Sequence, residues 1–272
     1  MQRITTMDTW AKEIVNFSSL SKEFQIEIKK IQQHTSTTNP LTIKIPFDSN
    51  RNTPETIIIA FNSSLYILEN FNNQIITTEM QYSDILFIEL TIILLDSSLL
   101  INNGLKSKKI YFNTSSEQYF HKIIKKIRTF QNLQNTIKTQ STKLDYLKDV
   151  NLKLYNYSKY AMKYHEKIID TVYQSADKSL HIESNLTILS NNEIVFIKET
   201  DEKNKPESSL YGGTWVYIPI NKIKDVIIKN QKTERLFILE IIFNSSNSYP
   251  ITYTYNTKTS FKEFDKEIKY LL

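Results

Sequence analysis

Twice along this chain a succession of short β-branched segments ends in an amphipathic helix. That order constrains the fold more than any single motif. The first series runs through residues 41–47 (LTIKIPF), 56–61, 65–70, 75–80, 84–90, 98–102 and 108–113. Turn-rich stretches separate them: DSNRNTPE at 48–55, Asn62-Ser63-Ser64 and Asn102-Asn103-Gly104. β-branched residues between such breaks predict strands. The period then changes: Phe120, Ile123, Ile124 and Ile127 recur three and four apart, which predicts a helix over 115–130. Ser115 with Gln118, or Thr114 with Glu117, supplies a capping box. From Leu180 the same grammar returns as LHIES, LTILS, EIVFIKE, WVYIPI, IKDVIIK, LFILEIIF and ITYTYN. A last helix follows, with Phe261, Phe264, Ile268 and Leu271 on one stripe and Ser260 with Glu263 as its capping box.

The two series can be laid on each other. Residues 110–127 resemble 251–271, with Phe120 on Phe264, Ile124 on Ile268 and Ile127 on Leu271. The strand-to-helix turn fits one residue out of step, pairing Asn113-Thr114 with Asn256-Thr257. SSLYILEN resembles NNEIVFIKE, and MQYSDILFIEL resembles VYIPINKIKDVII. The match rests on order and period, and it points to an internal duplication. A strongly bent antiparallel sheet leaves one open end, which an apolar helix can plug.

Two further segments are expected to be helical. Trp10, Ile14, Phe17, Phe24, Ile28 and Ile31 share a stripe over residues 8–33, ended by Asn39-Pro40. Residues 131–178 hold neither proline nor glycine. There Leu147, Leu154, Ala161 and Ile168 recur by sevens, with Val150, Tyr157 and Tyr164 in the second apolar position. Two readings stay open: one or two helices packing on their own domains, or an inter-chain coiled coil.

Composition removes whole classes of chemistry. There is no cysteine, hence no thiolate nucleophile, thiolate metal site or disulfide. Three glycines in 272 residues exclude the glycine-rich loops that cradle phosphates. The net charge is +5, yet the four arginines, Arg3, Arg51, Arg128 and Arg235, are scattered, so nucleic acid is not an expected partner. The first fifteen residues lack an apolar run before a small-residue cleavage site, and the apolar stretch 85–101 is short and carries Glu89 and Asp96. A cytoplasmic chain is expected.

The strand series from Leu41 to Asn113 with its helix, and the series from Leu180 to Asn256 with its helix, resemble the pleckstrin-homology-like (PH-like) fold, as a tandem pair of bacterial type. The segment YSDILFIELTIILLDSSLLI followed by IYFNTSSEQYF is similar to the short bacterial modules of that fold. The resemblance implies an α+β chain of two antiparallel PH-like β-barrels, each closed by a C-terminal helix. Its expected parts are an N-terminal helix (1–38), a first barrel (39–130), a helical linker (131–178) and a second barrel (179–272). It further implies a non-catalytic binding or scaffolding module. The lipid-binding members carry a basic cluster between the first two strands; here 48–55 offers only Arg51 against Asp48 and Glu55.

Individual residues give modest signals. His34, His121, His165 and His181 show no metal-ligand spacing, and neither metal nor cofactor is expected. Glu89 and Glu240 sit inside apolar strands, where alternation turns them outward. Tyr211, Gly212, Gly213 and Trp215 predict a hairpin turn with positive φ and a core tryptophan or, on a sharper reading, an aromatic lip for a protein partner. Lys106, Lys108 and Lys109, with Lys122, Lys125 and Lys126 on the first closing helix, are candidates for an anionic membrane surface. The leading expectation is recognition of a protein partner or self-association through an exposed sheet edge; the alternative is peripheral membrane binding, and the third reading is an enzyme of unrecognised type.

Overall fold

The β-branched runs pair antiparallel at ten junctions with a defined register. The computed structural model describes residues 10–35, 39–94, 96–131, 142–162, 167–199, 212–230, 235–245, 247–254 and 257–272. In the first half of the sequence lie β1 (Lys12–Glu13), α1 (Lys22–Gln33), β2 (Leu41–Ile45), β3 (Glu55–Ala60), β4 (Ser64–Phe71) and β5 (Gln74–Gln81). They are followed by β6 (Phe87–Ile93), β7 (Asp96–Asn102), β8 (Ser107–Phe112) and α2 (Glu117–Gln131). The second half holds α3 (Leu147–Val150), α4 (Leu152–Ala161), β9 (Ile168–Gln174), β10 (Asn185–Ser190), β11 (Glu193–Glu199) and β12 (Gly212–Pro219). It ends with β13 (Ile223–Asn230), β14 (Leu236–Phe243), β15 (Ser248–Thr254) and α5 (Lys258–Leu271).

These strands form three open sheets, ordered β1-β2-β3-β4-β5, β8-β7-β6-β12-β11-β10-β9 and β13-β14-β15. The expected pair of closed barrels is therefore overturned. Closure would require each half to pair its strands only among themselves. Instead β6, from the first half of the sequence, pairs with β12 from Gly212↔Ile93 to Tyr217↔Ile88. That exchange makes the middle sheet common to both halves of the sequence and leaves β5 and β13 as sheet ends.

The helical expectations also change. Residues 10–19 are not part of the N-terminal helix: Lys12 and Glu13 pair with Lys44 and Ile43 of β2. The Asn16 side chain accepts from Ser18 N and opens a 3-10 turn over Phe17–Ser19, the local bonding by which asparagine and serine compete with a helix. The segment 131–178 is not one long rod. Asn151, at φ −159°, separates α3 from α4 and caps the latter by accepting from Leu154 N at 2.9 Å. Ile168 opens a strand, β9, whose run IIDTVYQ is β-branched enough to leave the helix. Leu147, Leu154 and Ala161 are fully buried within the one chain, Val150 is exposed, and Tyr164 lies outside the described residues.

The duplication is visible in register. Ala60 faces Leu65 in β3–β4 as Leu189 faces Ile194 in β10–β11, an offset of 129 residues. The same offset relates α1 to α4 within a residue, and the bridge Asp48↔Thr53 to Asp177↔Ile182. Asn52 and His181, equivalent at that offset, both hold positive φ. For β5 and β12, and for the 3-10 turns Tyr82–Asp84 and Ile220–Lys222, the offset is 138. For the closing helices it is 141, placing Phe120, Ile123 and Ile127 on Phe261, Phe264 and Ile268, all fully buried. The sequence alignment of these helices was thus one turn out. Neither capping box forms as expected: Asn113 accepts from Ser115 N ahead of α2, and Ser260 lies inside α5.

The chain divides into two compact units: Met1–Ile85 with Leu95–Leu99 and Lys109–Asn132, and Leu86–Leu94 with Leu100–Lys108 and Leu133–Leu272. In the first unit, Leu20 and the buried face of α1, Phe24, Ile28 and Ile31, pack with Ile57, Ile59, Phe61 and Leu68. Phe112 stacks on Phe120 of α2, with ring centres 3.6 Å apart. In the second unit, Phe237, Tyr253, Phe261 and Phe264 interlock beneath α5, and Val172, Phe196, Val216 and Ile218 complete the core. Each buried aromatic or branched aliphatic side chain is worth about 1.5–3 kcal/mol of transfer free energy.

Candidate functional site

Open sheets have edges, and an edge offers unpaired backbone donors and acceptors to any other strand. Most edges here are blunted. β1 has two residues. β8 carries Lys108 and Lys109. β15 contains Pro250, which cannot donate to a ladder. The β9 carbonyl of Ile169 accepts from Lys143 Nζ, and the β9–β10 register shifts at Leu189/Ser190. β5 has none of these devices. Its eight residues, QIITTEMQ, hold neither proline nor lysine, and they pair with β4 from Ser64↔Gln81 to Phe71↔Gln74 without a register shift. On its other side β5 has no strand among the described residues. Ile76 stands 47% exposed on it. Glu79 accepts from the Tyr66 hydroxyl at 2.9 Å and from Gln81 Nε2 at 2.7 Å. Burial first, then the Glu79 carboxylate, push the Tyr66 phenol up to about 12.

The second unit contains a cavity of about 450 Å3 between one face of the middle sheet and β15. Cross-strand register sets the sheet side of its lining. Asn185, Lys198 and Thr214 stand in one polar row. Two residues along, Phe196 and Glu89 lie in the next row of the same face. Charged side chains of the cavity have partners within it. Lys198 Nζ lies 3.1 Å from Glu183 Oε2, and the Tyr249 hydroxyl donates to Glu89 Oε2 at 3.1 Å. Burial, then Glu89, raise the Tyr249 phenol well above its ordinary value. Asn185 Oδ1 and Gln174 Nε2 are buried without partners, although the two residues face each other across β9–β10. The cavity is lined by both polar and apolar side chains. Among the described residues no cluster of three histidine or acidic side chains fits a metal ion.

The residues singled out in the sequence fall in different places. Gly212 and Gly213 lie in extended β12, not in a turn; among the described residues Gly104 is the glycine with positive φ. Gly213 is needed for space: a Cβ there would come within 2.7 Å of the Tyr157 ring. Trp215 is 5% exposed, packs against Tyr157 and Tyr160 of α4, and donates from Nε1 to the Tyr157 carbonyl at 3.3 Å. The Tyr157 hydroxyl donates to the Gly212 carbonyl at 3.0 Å. The chain's own helix thus occupies the aromatic surface. Tyr211, like His165, lies outside the described residues.

The six lysines are divided between the two units. Lys122 pairs with Glu13 at 2.5 Å and Lys126, half-buried, reaches the Phe61 carbonyl at 3.4 Å. Desolvation lowers the Lys126 pKa. Lys109 lies over the Tyr111 ring, whose centre is 5.2 Å away, while Lys106 and Lys108 belong to the other unit. Lys125 lies on α2 with Lys122 and Lys126. Glu240 accepts from Ser248 at 3.1 Å and pairs with Lys229, which holds its carboxyl below the usual range. The signal that composition missed is the bare edge of β5, which depends on which strands pair.

No helix of the described residues is long and apolar enough to cross a membrane. The chain matches no known family model, and no curated protein matches it in sequence.

Proposed function

We propose that this is a non-catalytic cytoplasmic protein that binds or scaffolds other polypeptides by accepting an extended segment along β5. One observation carries the reading: β5 is an eight-residue, regular edge free of lysine, proline and register shifts, with an exposed isoleucine. Main-chain hydrogen bonds give such an edge its affinity, and alternate side chains give it specificity. The anionic-surface alternative has less support, because Lys122 and Lys126 are already engaged.

Affinity capture with the full chain, beside an Ile76→Lys variant, tests the reading. Wild type is expected to retain a polypeptide that the variant releases, with both proteins melting alike. Identical retention by the two chains refutes it.

A further inference from the structure

The duplication assigns a partner to the β5 edge. This inference rests on the reading of β5 as a binding edge and adds what occupies it. β12, the equivalent of β5, has its outer edge filled by β6. The equivalent of β6, at the same offset of 138, is β13, and β13 has β14 on one side and no strand on the other among the described residues. One half of a repeated junction is thus open at β5 and the other half is open at β13.

We propose that β13 of a second copy of this chain pairs antiparallel with β5, repeating between molecules the β6–β12 junction found within each one. Carrying the internal register over sets Glu79 opposite Val226, Thr78 opposite Ile227, Thr77 opposite Ile228 and Ile76 opposite Lys229. The bulge of β13, between Ile223 and Asp225, falls outside this run. Lys229 is an edge lysine whose charge Glu240 already balances. Ile76 and Ile227, 47% and 37% exposed, become diagonal neighbours on one face and cover each other. The pair equivalent to Ile76–Lys229 is Thr214–Thr91, whose hydroxyls touch at 3.1 Å, so side chains at this position meet directly. Because β5 and β13 are different surfaces, the contact is heterologous: each copy gives one strand and accepts one. Such contacts build rings or open filaments and not closed two-fold dimers.

Sedimentation velocity on the purified full chain tests this. Wild type is expected to pass beyond dimer as concentration rises. Ile76→Lys, which sets two lysines opposite each other, and Ile227→Lys, which places a charge beside Ile76, each weaken association at least tenfold. An equimolar mixture of the two variants retains one intact β5 and one intact β13, so it stops at dimer. The cysteine-free chain permits a second readout: Ile76→Cys mixed with Lys229→Cys forms a disulfide-linked dimer, and Ile76→Cys mixed with Lys224→Cys does not. Three results overturn the proposal: a wild-type monomer at several hundred micromolar, undiminished association in Ile227→Lys, or a cross-link at residue 224 in place of 229. If the pure chain stays monomeric while capture from extract still depends on Ile76, the partner assignment fails and the edge-binding reading stands. If neither occurs, both fail.

Discussion

Gly213 and Ile75 occupy equivalent places in the two repeats, as do Tyr157 and Ile28. In the first unit Ile28 and Ile75 belong to one apolar cluster. In the second the strand position has lost its side chain and the helix position has gained a ring, so the space is filled from the other side. A Gly213→Ala change is expected to cost about 1–3 kcal/mol through overpacking, measured by urea unfolding. In a Tyr157→Ala background the same change is expected to be near neutral, which a double-mutant cycle reads directly. The adjacent glycines marked this position in the sequence, but the reason for them lies on a helix more than fifty residues away. Buried tyrosines give a second prediction. Burial raises the phenols of Tyr82, Tyr249 and Tyr253 above the ordinary value of about 10. Below pH 10 both folded and unfolded states keep these protons, and stability is unaffected. Above it the unfolded chain ionises first, the folded state binds more protons, and stability falls as pH rises. Tyrosinate absorbance is therefore expected to include a cooperative step that coincides with loss of the β-sheet circular dichroism signal. Ionisation of all sixteen tyrosines near pH 10 with the fold intact would contradict the assignment.

At the scale of elements, α4 stands on its cap. Asn151 accepts from Leu154 N and donates through Nδ2 to Glu199 Oε1 at 2.9 Å, tying the helix start to the end of β11. Asn151→Ala is expected to lower stability by about 0.5–2 kcal/mol, with Asn151→Asp recovering the cap but not the bond to Glu199; thermal melts of the three proteins check this. Much of the element order was legible because it is local. Alternation found β3, β4, β11 and β14 within a residue or two, and the 3.6 period found both closing helices. What failed was also local in appearance. Leu147, Leu154, Ala161 and Ile168 fall seven apart, but the first three lie on two helices broken at Asn151 and the fourth opens β9. Trp10, Ile14 and Phe17 match a helical stripe that Asn16 and Ser18 interrupt by bonding to each other. The partner of β6 had no local signal at all, since strand pairing is decided by surfaces far apart in sequence, and the candidate edge at β5 follows from that choice.

For the whole molecule, the halves of the sequence are not the units of the structure. The second unit takes Leu86–Leu94 and Leu100–Lys108 from the first half. Produced as separate polypeptides, residues 1–131 and 142–272 are expected to co-elute as an equimolar complex. The second piece alone lacks the strand that covers Gly212–Tyr217 and is expected to associate with itself as concentration rises. Gel filtration checks this, and a second piece that is monomeric and melts like the full chain would count against it. The same exchange sets a clock on the ribosome. Thr91 emerges 123 residues ahead of Thr214, its contact in the finished sheet. At about 5–20 residues per second, β6 waits roughly 6–25 s for β12 to be translated. Throughout that wait the nascent chain carries a second open strand in addition to β5, so polysome-borne neighbours have time to trade strands before either polypeptide is complete.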